Sequence, residues 1–235
     1  MQLRDPATAA TTLVFDVVGT LLDEDGTRTA ALRSVGSDLG VDLSMLGDRW
    51  AARVDAAVAE VTAGRAPYQP PAAFYRSALT DLLRADGTEL PPDRFDELAR
   101  FGYRLEPFPD TAPALERLAR GRALVALTNA GCGQAFAMSA QSGLRWTTLI
   151  SGESVGAYKP DPRMYRHAIG TLDLDPGRTL FVAAHDWDLD AAAQHGFRTA
   201  YVDRSGGSTG DLAGYAHRFD LVVTDLDHLA DALGR

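Results

Sequence analysis

The stretch VFDVVGTLLD, from Val14 to Asp23, decides the fold. Its apolar run ends on a single carboxylate, Asp16, and then turns through Gly19-Thr20, with Val18 in between. The run belongs to TTLVFD (11–16), and five others resemble it: ALVALTN (123–129), TTLIS (147–151), TLFVAAH (179–185), TAYVD (199–203) and DLVV (220–223). All are continuous rather than alternating, as strands covered on both faces must be. Helical patterns lie between them, so the chain is α/β, built on a parallel sheet.

Helix ends are legible between these strands. Asp110 and Thr111 can cap a helix with Pro113 in its first turn and Gly121 past its end. Asp161-Pro162 opens another, and Gly196 closes the helix after Asp188. From about 27 to 106 the pattern changes. TAALRSVGSDLG, LGDRWAARVDAAVAEVTAG, AAFYRSALTDLLRADG and DRFDELARFGYRLE all have amphipathic helical spacing, with no strand among them. Pro-rich joints at 67–71 and 91–92 divide them. This block is expected to be an all-helical cap (25–106) inserted after the first strand of a Rossmann-like core (1–24 and 107–235). RSGGSTG (204–210) is expected to be a surface loop.

The chain has 235 residues, enough for such a core and insert, and a formal net charge of −9. That charge argues against a nucleic-acid surface or an anionic membrane as partner. One buried cationic pocket is compatible with it, so a small anionic substrate remains open. No apolar run reaches a membrane span, and the first residues lack the apolar core of a signal peptide. The lone Cys132 excludes an internal disulfide and fits a reducing compartment. A cytoplasmic protein is expected, with a homodimer allowed.

Loops at the carboxyl ends of an open parallel sheet form its ligand crevice. Asp16, Thr128-Asn129 and His185 through Asp188 stand at three such ends, and Lys159 precedes a helix start. One Asp at a strand end is commonly only a helix cap. Four polar ends on one edge point instead to chemistry. A carboxylate nucleophile needs a nearby cation to stay ionised, which Lys159 can supply, and donors from Thr128 and Asn129 can orient a substrate.

Two textual matches fail. GESVG (152–156) fits a serine nucleophile elbow, but AYKP intervenes where a helix must begin. GCGQAF has Phe136 where a dinucleotide fingerprint needs glycine. Cys132 is expected to be a buried thiol rather than a nucleophile. His167, His195, His217 and His228 sit on or beside helices, and no metal-ligand spacing of His or Cys occurs. Trp187 either lines a pocket or fills the core; Trp50, Tyr68 and Phe74 are expected to pack the cap, with a substrate wall as the alternative.

Taken in order, FDVVGTLLD, ALTNAG, YKPDPRMY and FVAAHDWDLDAA resemble the four motifs of the haloacid dehalogenase superfamily. LEPFPDTAPALERL is similar to the segment that returns from the cap in its type II 2-haloacid dehalogenases. The resemblance implies that Asp16 is the nucleophile, Thr20 a support on its loop, and Thr128 and Asn129 substrate or leaving-group binders. It makes Lys159 the cation beside Asp16, Tyr165 a support behind it, and Asp188 the organiser of Lys159 and the hydrolytic water.

Superfamily phosphatases have a second Asp two residues after the nucleophile, and carboxylates in the last motif that hold magnesium. Here those positions are Val18 and Ala184. A halide leaves without a proton, so neither group is needed to displace it, whereas phosphoryl transfer gathers charge that a metal offsets. Val18 also helps to dehydrate the nucleophile. The expected function is therefore hydrolysis of small 2-haloacids through an aspartyl ester, with no metal and no cofactor. The competing readings are a phosphatase of a small phosphate ester and a noncatalytic binding protein.

Three departures stand out. Ala51 follows Trp50 where type II enzymes have an Arg for the substrate carboxylate and halogen. Arg49 and Arg53 are the nearby candidates to replace it. Ala183 and His185 stand where many members have Ser and Asn. His185 either activates the water that opens the ester or takes the place of an amide.

Overall fold

A computed structural model describes residues 10–205 and 212–234. The chain enters through β1 (Thr12–Phe15), turns, and forms the two-residue β2 (Leu22–Asp23). Four helices follow: α1 (Glu24–Leu39), α2 (Leu46–Thr62), α3 (Pro71–Ala85) and α4 (Pro92–Ala99). β3 (Glu106–Pro107) then leads into α5 (Thr111–Leu118) and β4 (Ala123–Thr128). Next come α6 (Cys132–Ser142), β5 (Thr148–Ser151), α7 (Gly152–Val155) and α8 (Pro162–Leu172). β6 (Thr179–Ala183), α9 (Asp186–Gln194), β7 (Arg198–Val202), α10 (Leu212–Tyr215), β8 (Leu221–Val223) and α11 (Leu226–Leu233) complete the chain.

The six long strands pair in parallel in the order β5-β4-β1-β6-β7-β8. All six sequence runs thus became strands of one sheet. Their continuous hydrophobicity has a direct cause, because each face of the sheet is covered. Leu13 and Phe15 pack into one core cluster, and Val14 packs into another with Val125, Leu127 and Phe181. The chain goes outward from β1 through β4 and β5, then crosses to β6 on the other side. The carboxyl end of β1 is therefore the switch point where an open sheet leaves a crevice. Phe15 is in register with both Ala126 and Val182, so Asp16, Asn129 and His185 leave the sheet at one edge.

The helical block begins and ends at a short antiparallel pair, Leu22↔Pro107 and Asp23↔Glu106. Two-residue strands carry no readable periodicity, so this stem could not be read from the residues alone. Asp23 caps α1 by accepting from Gly26 N–H at 2.9 Å, which starts that helix earlier than its apolar spacing suggested. The fourth helix is shorter than expected. It stops at Ala99, a 3₁₀ turn covers Phe101–Tyr103, and the chain is extended by Glu106. Phe101 ends this segment because it is drawn into an aromatic cluster with Trp50 and Tyr75, at 5.1 Å from each ring.

Asp110 stands at the start of α5 but makes no side-chain cap bond there. Its carboxylate instead grips Arg204 at 2.8 and 3.0 Å and receives Leu226 N–H. Asp161 caps α8 as expected, and Gly196, with φ +85°, follows α9. Of the loop 204–210, only Arg204 and Ser205 lie within the described residues. Among the described residues, no helix is long and apolar enough to cross a membrane.

Candidate active site

Asp16 is buried at the end of β1, and its carboxylate is held from three directions. Lys159 Nζ donates to Oδ1 at 2.8 Å, Thr20 Oγ1 donates to Oδ2 at 2.6 Å, and His185 Nδ1 lies 3.0 Å from Oδ2. An ionised carboxylate only accepts, so Nδ1 carries the proton in this pair. Lys159 also donates to Asp188 Oδ2 at 2.5 Å, and Tyr165 Oη donates to Asp188 Oδ1 at 2.5 Å. Lys159, Tyr165 and Asp188 are all buried. A lysine so placed is tolerable only because it is shared by two carboxylates.

These charges set one another. Burial alone would raise the Asp16 pKa, but the Lys159 ammonium and the His185 contact outweigh it and hold the carboxyl well below the usual range. Burial would lower Lys159, yet Asp16 and Asp188 together push it up and keep it charged. Burial wins at Asp188, which is raised in spite of Lys159. His185 is raised as well: its contact with Asp16 overcomes its partial burial.

The backbone explains how these groups meet. Asn129 Oδ1 accepts Lys159 N–H at 2.7 Å and its amide donates to Lys159 O at 3.3 Å, clamping that peptide from both sides. Thr20 Oγ1 receives Ala184 N–H at 2.9 Å, tying the turn after β1 to the end of β6. Gly19, with φ +80°, is required at that turn. A Cβ there would lie 2.7 Å from His185 Cε1, so any side chain would displace the imidazole.

A cavity of about 630 Å³ opens over Asp16. Val18, Asn129, Lys159, His185 and Trp187 all line it. Trp187 is a pocket residue, its ring 5.4 Å from His185 and partly exposed, and does not fill the core. Thr128, expected to bind substrate, and Thr20, expected to support the first loop, are both buried outside the lining. Thr128 accepts Ala130 N–H and Thr20 bridges Asp16 and Ala184, so both hold loops beside the cavity. Cys132 corrects a second expectation. It is exposed, because it begins α6 with its N–H donated to Glu153. Ser154 of the rejected elbow sits within α7, its hydroxyl donated to Ser151 O.

The far wall holds what the sequence reasoning missed: Glu24 at the start of α1, and Asp55 and Tyr75 from α2 and α3. Tyr75 Oη donates to Glu24 Oε1, and burial raises Glu24 above the usual carboxylate range. Asp55 was legible in principle, since it lies one helical turn after Ala51 and so shares its face. Arg49 pairs with Asp86 and Arg53 is exposed; neither lines the cavity.

A divalent ion of the kind held by superfamily phosphatases does not fit this donor set. Lys159 occupies the space between Asp16 and Asp188, position 184 is Ala, and no group of three or more metal-binding side chains occurs among the described residues.

Known proteins resemble this chain in sequence and in fold. The chain is 30% identical to (S)-2-haloacid dehalogenase 4A of Burkholderia cepacia, over 82% of this chain and 83% of that one. It is 32% identical to a phosphatase of Mycobacterium tuberculosis, over 83% and 88% respectively. A solved L-2-haloacid dehalogenase superposes with a TM-score of 0.86 at 30% identity, covering 96% of this chain and 99% of the other. The pattern that describes haloacid dehalogenase-like hydrolases matches residues 10–196, the span that carries Asp16, Lys159 and Asp188, and the chain belongs to that hydrolase family.

Proposed function

We propose that this hydrolase cleaves a carbon–halogen bond next to a carbonyl group, the bond found in 2-haloacids, through an ester on Asp16 and without a metal. In this reading, residues 25–106 act as a cap over a core formed by 1–24 and 107–235. The dehalogenase relatives support the reaction class. The observation that carries the mechanism is Asp16 itself: buried, held ionised by Lys159, open to the cavity, with no acid at Val18 and no metal donor at Ala184.

An Asp16 oxygen attacks the carbon, a C–O bond forms, and halide departs with the electron pair of the C–halogen bond. Thr20 and Lys159 hold the carboxylate in line. Water then attacks the carboxyl carbon of Asp16, the ester C–O bond to that carbon breaks, and the alcohol leaves. Asp16 keeps one oxygen from water; of the two water protons, one ends on the alcohol and one is released in this second step, after the halide has left. His185 is placed to accept that proton through Nε2 when the ring is neutral, since Nδ1–H stays on Asp16.

A single turnover in heavy-oxygen water tests the ester. Label is expected in Asp16 before it reaches product; label entering product directly would sink the ester route. The phosphatase relative favours a second reading, hydrolysis of a phosphate ester. Halide and phosphate release are compared on one sample, with magnesium and with excess chelator. Halide release that persists in chelator is expected, and magnesium-dependent phosphate release that exceeds it would promote the second reading.

A further inference from the structure

The wall facing Asp16 across the cavity is acidic: Glu24 and Asp55 stand on it, and with Asp25 they set three carboxylates around the Arg28 guanidinium. Neither Glu24 nor Asp55 makes an ion pair among the described residues. Lys159 and His185, the basic side chains in the lining, are both already engaged by Asp16, and Lys159 by Asp188 as well. Arg28 lines a neighbouring cleft of about 520 Å³ together with Ala51, and pairs with Asp25.

A substrate carboxylate brought into such a cavity loses its hydration and meets only cations that a carboxylate of the protein already engages. If Glu24 and Asp55 are ionised they repel it. If they are protonated they are merely neutral, and the desolvation remains uncompensated. Val54, Val58, Leu105 and Met138 give the cavity an apolar stretch, beside the polar Thr62 and Gln134. A volume near 630 Å³ also falls in the range of pockets that enclose ligands well beyond a three-carbon acid.

We propose that the substrate is an uncharged 2-halo amide, its N–H received by Glu24 and an apolar N-substituent laid against Val54, Val58 and Met138. This rests on the carbon–halogen reading above and leaves its chemistry unchanged. The amide is untouched, halide leaves with its electron pair, and the product is the 2-hydroxy amide. Glu24 is then a specificity-determining residue.

The test measures halide release from 2-chloropropionate, 2-chloropropionamide and N-benzyl-2-chloropropionamide. The N-benzyl amide should be the best substrate by kcat/KM, with the free acid behind it by roughly tenfold or more. Glu24→Gln should narrow that ratio by raising the rate on the free acid. Binding of lactate and N-benzyl lactamide to the unmutated chain gives the same comparison without a variant, and the amide should bind at least roughly tenfold tighter. Arg28→Met should leave the ratio in place. A free acid preferred over both amides overturns the proposal while leaving dehalogenation intact, and loss of that preference in Arg28→Met would identify Arg28 as the clamp. No halide from any of the three overturns the proposal together with the reaction it rests on.

Discussion

At the sheet edge, each carboxylate oxygen of Asp16 and Asp188 has a hydrogen-bond partner. Across the cavity, Glu24 has only the Tyr75 hydroxyl and Asp55 has no ion-pair partner among the described residues. The first wall is a closed network that fixes one geometry, which suits a reacting group that must not reorganise. The second has unspent charge and apolar surface, which suits recognition. A change on the first wall should therefore cost chemistry and stability together, whereas a change on the second should shift preference among substrates.

Asp16→Asn tests the first wall most severely. The amide keeps the shape but cannot displace halide, and activity should fall by about 10⁴-fold or more. Retained secondary structure by circular dichroism separates this from unfolding. Activity within about tenfold of the unmutated chain would mean that another group attacks the carbon.

Lys159→Met should be next in effect. It leaves two buried carboxylates without their cation, and breaking such a pair costs about 3–5 kcal/mol at neutral pH. The pH dependence has a definite sign. Asp16 is depressed in the folded chain, so its contribution is present above the ordinary carboxylate range and is lost as pH falls through and below it. The gap in urea stability between the two chains should therefore shrink below about pH 4. A gap that stays constant down to acid pH would remove the ion pair as its cause.

The first wall was legible because its parts sit at strand ends, where an apolar run stops on a polar residue. Asp16, Asn129 and His185 could be placed on one edge from the parallel sheet alone, and Lys159, between α7 and α8, from the motif that carries it. Their internal wiring could not. Nothing in the text of the sequence shows that Thr128 bonds Ala130, or that the Asn129 amide is used on the Lys159 peptide. The second wall depends on how α1, α2 and α3 lean over the sheet, and helical spacing gives only the buried stripe. Trp50 illustrates the difference. Its burial was readable, but its Nε1–H bond to Tyr75 O, which helps to set Tyr75 beside Glu24, depends on packing between two helices. The stem at Leu22 and Glu106 was illegible for a simpler reason: two residues contain no period.

Ala51→Arg probes the second wall. Ala51 lines the cleft that shares Glu24, Asp55 and His185 with the cavity, where Arg28 and Arg204 are already paired with Asp25 and Asp110, so a guanidinium at position 51 adds a further cation. A charge-assisted contact contributes about 1.5–3 kcal/mol, so kcat/KM on a free 2-haloacid should rise roughly tenfold or more. Rates on the corresponding amide should not follow. An unchanged Michaelis constant for the acid would mean that its carboxylate lies elsewhere.

The smallest expected effect joins the two walls through His185, which touches Asp16 and also lines the cavity. Its pKa is raised in the folded chain, mainly by the hydrogen bond and charge of Asp16 acting against burial. A raised histidine stabilises the fold fully below its unfolded value of about 6.5, and that contribution is lost as pH rises through the folded value. Activity should move the other way. Below the folded value the imidazolium quiets Asp16 and has no lone pair for the hydrolytic water; above it, Nε2 is free and attack is less restrained. Stability should thus decline and halide release should rise over the same interval above pH 6.5. His185→Asn should flatten both curves there and slow ester hydrolysis more than ester formation, so that esterified Asp16 accumulates. Two midpoints that fail to coincide, or a rate step that survives in His185→Asn, would assign the activity change to another group.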